Sequence, residues 1–291
     1  MDFLRPETLA EALELKASRP DAVPIAGGTD VMVELNFDHR RPGALLDLTR
    51  VPELRQWSDG LRIGAAVPYA RIIDELGTAL PGLAMAARTV GSPQIRNRGT
   101  VGGNLGAASP AGDTHPVLLA SDAVIEVAST RGPRMIPATE FYLGVKRNAL
   151  EPDELIVAVH LAPAAGPQQF AKVGTRNAMV IAVCSFAISL FPGENRVGAA
   201  VGSAAPTPRR AHEAEAFLAA ELDFATPKPL LDSVKREFGE LVSRAASPID
   251  DVRGSAAYRE HALAVMARRT LGWAWQELLS RKNRGGEQSC A

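Results

Sequence analysis

The residues in this chain best suited to chemistry are the ones with almost no side chain. Ile25-Ala26-Gly27-Gly28-Thr29-Asp30 follows a short apolar run and leads into another. A second segment, Arg96-Asn97-Arg98-Gly99-Thr100-Val101-Gly102-Gly103-Asn104, is followed closely by Ser109-Pro110-Ala111-Gly112-Asp113. Paired glycines let the main chain turn where a Cβ is forbidden, and let a ligand lie against the peptide groups. Successive free N–H groups in such turns form a concave anion site suited to a pyrophosphate. Two such turns, each with an acid behind it, suggest a dinucleotide held from both sides. No lysine lies in either segment, so main-chain amides and helix ends would carry the phosphate charge. Thr29, Thr100 and Asn104 can add hydrogen bonds without bulk, and Asp30 and Asp113 can accept from ribose or ribityl hydroxyls. The alternative is that both glycine pairs are plain tight turns and both acids cap helices.

Other chemistries lack their residues. No Gly-x-Gly-x-x-Gly fingerprint and no phosphate loop ending in Gly-Lys-Ser/Thr occurs. The five histidines, at 39, 115, 160, 212 and 261, show no ligand spacing, and no metal site is expected. His115 is read as a helix-start residue. Only Cys184 and Cys290 are present, too few for a four-cysteine cluster or a disulfide framework, and Cys184 reads as a core residue. Lys172 and Arg176 form a cationic pair near a change of texture at residue 174. Such a charge could stabilise negative charge on a bound ligand, the alternative being a solvated surface lysine.

The elements positioning these residues read as follows. Residues 7–18 form an amphipathic helix, 22–26 a strand, 31–35 a helix and 44–48 a buried strand, together a small α/β unit. Strand 61–66, helices near 67–73 and 83–88, and a helix over 116–120 come next. Strands at 124–127, 134–136 and 155–159 follow. Beyond residue 174, paired strands over 180–190 and 196–203 are joined by the turn Phe191-Pro192-Gly193-Glu194-Asn195. Helices near 211–221, 229–245 and 256–281 complete the chain. In the last, Leu263, Met266, Leu271, Trp275 and Leu278 form a packing stripe.

Of the 291 residues 46% are apolar, enough for a large core, and the net charge is −1 from 32 basic and 33 acidic residues. That balance disfavours a nucleic-acid partner. The basic clusters His39-Arg40-Arg41 and Pro208-Arg209-Arg210 are read as solvated loop charges. No apolar run approaches the roughly 20 residues of a membrane helix. Met1-Asp2-Phe3-Leu4-Arg5-Pro6 lacks the features of a signal peptide. A cytoplasmic protein is expected.

Ala26-Gly27-Gly28-Thr29-Asp30, the run Ile95 to Asn104 and Ala108-Ser109-Pro110-x-x-Asp113 resemble the FAD-binding medium subunit of the molybdenum hydroxylases. That group includes xanthine dehydrogenases and carbon monoxide dehydrogenases, and the wording leans towards the bacterial xanthine dehydrogenase type. The resemblance implies an α+β fold: a two-lobed FAD-binding domain of the vanillyl-alcohol-oxidase (PCMH) type, then a smaller C-terminal α+β domain with an antiparallel sheet and helices. The expected boundaries are lobes at 1–55 and 56–174, the C-terminal domain at 175–282 and a disordered tail at 283–291.

By the same resemblance, Pro24, Ile25, Ala26, Gly27, Gly28, Thr29, Asp30 and Val31 wrap the FAD pyrophosphate and neighbouring ribityl. Thr100, Val101, Gly102, Gly103 and Asn104 close on it. Asp113 contacts the cofactor, as do Val90 and Gly91, while Ile156 lies near the flavin or its adenosine and Lys172 near the isoalloxazine. FAD is expected to be non-covalent, because no histidine sits beside either glycine turn. A molybdenum cofactor on a large subunit and two iron–sulfur clusters on a small subunit are implied as partners. Electrons would pass through them to FAD and on to NAD⁺ or another acceptor, in a dimer of heterotrimers. No side chain here is expected to act as acid or base, and the hydroxylated substrate would bind on another chain. The rival readings are a self-contained flavin reductase or oxidase, and an assembly subuni that carries no flavin.

Overall fold

A computed structural model describes residues 1–58 and 61–288 of the chain. The first elements are β1 (Asp2–Leu4), α1 (Leu9–Ser18), β2 (Val23–Ile25), α2 (Val31–Asn36), β3 (Ala44–Asp47) and β4 (Arg62–Gly64). Helices α3 (Tyr69–Glu75), α4 (Pro81–Thr89), α5 (Pro93–Arg98), α6 (Val101–Ala107) and α7 (His115–Ala120) follow. Next come β5 (Val124–Ser129), β6 (Gly132–Pro137), α8 (Ala138–Phe141), β7 (Tyr142–Gly144), β8 (Arg147–Asn148) and β9 (Leu155–His160). The remainder is β10 (Gln168–Val173), β11 (Cys184–Phe191), β12 (Arg196–Gly202), β13 (Arg209–Arg210), α9 (His212–Glu221), α10 (Asp232–Arg244) and α11 (Ala256–Gln288).

The chain divides into two compact units that interleave along the sequence. The first comprises Met1–Glu75, Val90–Ser109 and Asp122–Ala162. Its parallel sheet has the order β1-β3-β2, with β3 buried along its whole length. Helices α1 and α2 provide the crossovers that parallel neighbours require. Thr8 starts α1 by accepting from the Glu11 N–H at 3.2 Å. A second, antiparallel sheet has the order β4-β9-β5-β6, with a register shift at Glu126/Val127. Both sheets feed one core, where Leu46, Val51 and Leu54 meet Leu155 and Val157.

The second unit comprises Leu76–Thr89, Pro110–Ser121 and Pro163–Ala291. Strands β10 to β13 form an antiparallel sheet in sequence order. Strand β11 is buried on both faces, which its two-residue period explains. Phe186, Ile188 and Leu190 enter a core with Phe238, Leu263, Met266, Leu271, Trp275 and Leu278. Ser189 on the other face bonds Ser121 at 3.0 Å, just past α7. Helix α4 is tied to β10 by the Gly82 N–H donating to Gln168 Oε1 at 3.0 Å. A Cβ at Gly198 of β12 would lie 2.0 Å from the Ala120 carbonyl oxygen, so α7 packs flush on that strand.

Consecutive pieces at 1–55, 56–174 and 175–282 therefore differ from the compact units. Helices α4 and α7 lie inside the expected second lobe by sequence, yet their apolar faces are buried with the β10–β12 sheet. Helix α11 continues through Gln288, into the expected disordered tail 283–291, and residues 289–291 lie outside the described residues. Cys184 is fully buried and its thiol is pushed up to about 12 by that burial. Cys290 is outside the described residues. The cluster Arg209-Arg210 is not uniformly solvated. Arg210 is half-buried, pairs with Glu215 and donates to the Leu119 carbonyl at 2.9 Å.

Candidate functional site

The first unit contains a cavity of about 530 Å³ lined by both glycine segments. They meet directly. A Cβ at Gly27 would stand 1.9 Å from the Arg98 carbonyl oxygen and 2.9 Å from the Gly99 nitrogen, so only glycine fits. Gly28 has φ +74°, a left-handed conformation that L side chains resist. Among the described residues, the N–H groups of Gly27, Gly28, Thr29 and Asp30 have no internal acceptor. Asp30 stands at the N-cap of α2, but its side chain makes no capping bond. The first segment therefore presents a run of uncommitted donors, the backbone arrangement suited to an anion.

The second segment departs from the expected turn. Ser92 caps α5 by accepting from the Ile95 N–H, and Thr100 caps α6 by accepting from the Gly103 N–H at 3.0 Å. Gly102 and Gly103 thus lie in the first turn of a helix. The Gly102 N–H donates to the Ala65 carbonyl at 2.9 Å, and a Cβ there would be 2.5 Å from the Ala65 Cβ. These two amides are occupied, and Gly102 is small for the sake of helix packing. Gly103 and Gly106 are exposed and line the cavity, with only Thr100 Oγ1 and Ile156 Cδ1 within 4 Å of their Cβ positions. One wall supplies donors and the other supplies open space.

Of the expected residues, Pro24, Ala26, Gly27, Gly28, Thr29, Asp30, Val31, Val90, Thr100, Gly102, Gly103, Asn104 and Ile156 line this cavity. Ile25 and Val101 do not. Ile25 packs beneath Gly28, with Cδ1 3.5 Å from its Cβ position, and Val101 is in the core. Gly91 has φ +48° and turns the chain against Ile95, away from the lining. Asp113 and Lys172 belong to the second unit and form a buried pair there. Lys172 Nζ lies 2.6 Å from Asp113 Oδ2 and 3.2 Å from the Thr89 carbonyl, and Thr89 Oγ1 donates to the same carboxylate oxygen at 2.9 Å. Burial pushes the Asp113 carboxyl up, opposed by the charge and hydrogen bond of Lys172. Asp113 Oδ1 has no hydrogen-bond partner among the described residues. Lys172 is therefore not a solvated surface lysine, and neither acid makes a side-chain capping bond to a helix.

Sequence reasoning missed Glu34, Tyr69 and Lys146, which also line the cavity, and read Arg40 as a solvated loop charge. Glu34 accepts from Lys146 Nζ at 3.0 Å, and Arg40 Nη1 lies 3.8 Å from its other oxygen. Hydrogen bonding to Glu34 raises the Lys146 ammonium above its ordinary range. Nothing local marks these residues, because their meeting depends on chain segments far apart in sequence. His160 pairs with Glu126 at 2.7 Å, and His115 is buried at the start of α7. No group of three or more potential metal ligands occurs among the described residues. No described helix is long and apolar enough to cross a membrane.

Comparison with known proteins places the chain in a family. Residues 1–164 fit the family model of the FAD binding domain in molybdopterin dehydrogenase. Residues 169–274 fit that of the CO dehydrogenase flavoprotein C-terminal domain. The chain is 34% identical over 285 residues to the xanthine dehydrogenase FAD-binding subunit of Escherichia coli O157:H7, covering 94% of this chain and 95% of that protein. It is 30% identical to the nicotine 6-hydroxylase medium subunit of Paenarthrobacter nicotinovorans, covering 92% and 95% respectively. Among solved structures, a chain of carbon monoxide dehydrogenase from Hydrogenophaga pseudoflava superposes with a TM-score of 0.86 at 27% identity, over 95% of this chain and 98% of that one.

Proposed function

The chain belongs to the FAD-binding medium subunits of the molybdenum hydroxylases, and from that premise we propose that it is the last protein-bound station of an electron path. It is a component of an oxidoreductase complex, and its cofactor is FAD. The residues suit that group. The uncommitted amides of Gly27 to Asp30 answer the charge of a diphosphate, and the bare Gly103–Gly106 face leaves room for the rest of an extended dinucleotide. A cavity of about 530 Å³ is within the size range of cofactor sites. The single observation that carries the reading is the convergence of both glycine segments on this one cavity.

Bound FAD supplies the chemistry that links one-electron carriers to a two-electron acceptor. The chain's own part is to bind and orient. The Gly27–Asp30 amides would hold the phosphates, Asp30 would accept from sugar hydroxyls, and Ile156 would supply an apolar contact. Lys172 is held by Asp113 and Thr89 within the second unit, and a role as a cation that would tune the flavin rests on the family resemblance alone. No acid or base is needed from this chain. We read the attachment as non-covalent, because no histidine is among the described residues that line the cavity. Partner subunits carry the iron–sulfur clusters and the molybdenum cofactor, and NAD⁺ is the favoured final acceptor in a dimer of heterotrimers. A xanthine-dehydrogenase-like complex fits the similarity to the Escherichia coli subunit best.

Co-purification with the native partners tests this reading. The complex should contain FAD, iron and molybdenum, and should reduce NAD⁺ when given its substrate. A chain that binds no flavin, or one that turns over an organic substrate without partners, would overturn it.

A further inference from the structure

Lys146 joins two walls of the cavity that are otherwise separate in sequence. It sits at the turn between β7 and β8 with φ +53°, a left-handed conformation uncommon for lysine. Its N–H donates to the Ala108 carbonyl at 3.1 Å, and Asn148 Nδ2 donates to the Gly106 carbonyl at 3.0 Å. These bonds seat the hairpin on the carbonyl end of α6. From that seat, Lys146 Nζ reaches Glu34 of α2, and Arg40 stands beside the other carboxylate oxygen. Helix α2 has little else to hold it. None of its residues is buried, and Met32 and Val33 are exposed.

We propose that the Lys146–Glu34 ion pair is a clasp that ties α2 to the α6 hairpin across the FAD cavity and slows escape of the cofactor. The inference rests on the reading that FAD occupies this cavity. Glu34, Arg40 and Lys146 are then positioning residues, because they act through the wall that carries the Gly27–Asp30 donors. Helix α2 begins one residue after those amides end, so motion of α2 moves the phosphate cradle. The pair is exposed on the lysine side, 57% against 22% for Glu34, so dissolved salt screens it. Its effect belongs to the modest range of partly exposed ion pairs.

The test is the rate of FAD release from the purified full chain, followed by recovery of flavin fluorescence after dilution. Lys146→Gln and Glu34→Gln should each release FAD about two- to fivefold faster at low salt. Both should show less acceleration by salt than the unsubstituted chain. The conservative Lys146→Arg should keep most of the slow release, while the thermal midpoints of the flavin-free proteins stay together. Release from Lys146→Gln at the original rate, or from Lys146→Arg as fast as from Lys146→Gln, overturns the clasp and leaves the cofactor reading intact. Absence of FAD binding by the unsubstituted chain overturns both.

Discussion

Glycines 102 and 103 are neighbours in sequence with opposite neighbours in space. A Cβ at Gly102 strikes Ala65, whereas one at Gly103 meets only Thr100 Oγ1, at 3.0 Å, beside the cavity. Gly102→Val should therefore destabilise the fold by about 1–3 kcal/mol or more through overpacking. Gly103→Val should lose FAD with a stability change of about 1 kcal/mol or less. Denaturant unfolding and flavin content measured on both proteins separate the two effects; equal unfolding midpoints would refute the assignment. Lys172 needs similar care. Its removal strands a buried carboxylate, so Lys172→Ala should cost about 3–5 kcal/mol in addition to any change in flavin potential. Replacing Asp113 by Asn in the same chain should restore part of that loss, and unfolding curves of the single and double variants check it.

The antiparallel sheet of the first unit carries its own charge lock. Arg62 of β4 donates twice to Glu126 of β5, at 2.6 and 2.8 Å, and His160 of β9 meets the same carboxylate. The Arg62 hydrogen bond holds the Glu126 carboxyl below its ordinary 4.5, with burial opposing it. In acid the unfolded chain consequently binds this proton before the folded one does. The stabilisation is present above pH 4.5 and is lost as pH falls through the lowered folded value. Glu126→Gln should flatten that part of the stability profile, as thermal midpoints from neutral to acid pH would show. A profile as steep as the unsubstituted one would place the acid sensitivity elsewhere. Helix starts at this scale were partly legible. Ser92 and Thr100 have capping chemistry, yet the adjacent glycines drew attention to a turn where α5 and α6 form.

At the scale of the whole molecule, a single electron-transfer component should hold flavin and no metal. The isolated chain is expected to be yellow, to contain neither iron nor molybdenum, and to leave purine substrates unchanged; flavin spectra with metal analysis and a substrate assay decide it. Much of this was readable without coordinates. The apolar stripe of the last helix, the β11–β12 pairing and the special status of Gly27 and Gly28 follow from periodicity and from the backbone freedom of glycine, which are local properties. Composition sets a limit of the same local kind: Cys184 and Cys290 are too few for a four-cysteine cluster. Tertiary structure decided the rest. It assigned α4 and α7 to the β10–β13 sheet of the second unit, committed the Gly102 and Gly103 amides to internal acceptors, and buried Lys172 against Asp113. It also brought Lys146 to Glu34. Each of those outcomes is a contact between distant segments, chosen by how whole faces pack and which polar groups must then find partners, and no stretch of sequence carries that information by itself.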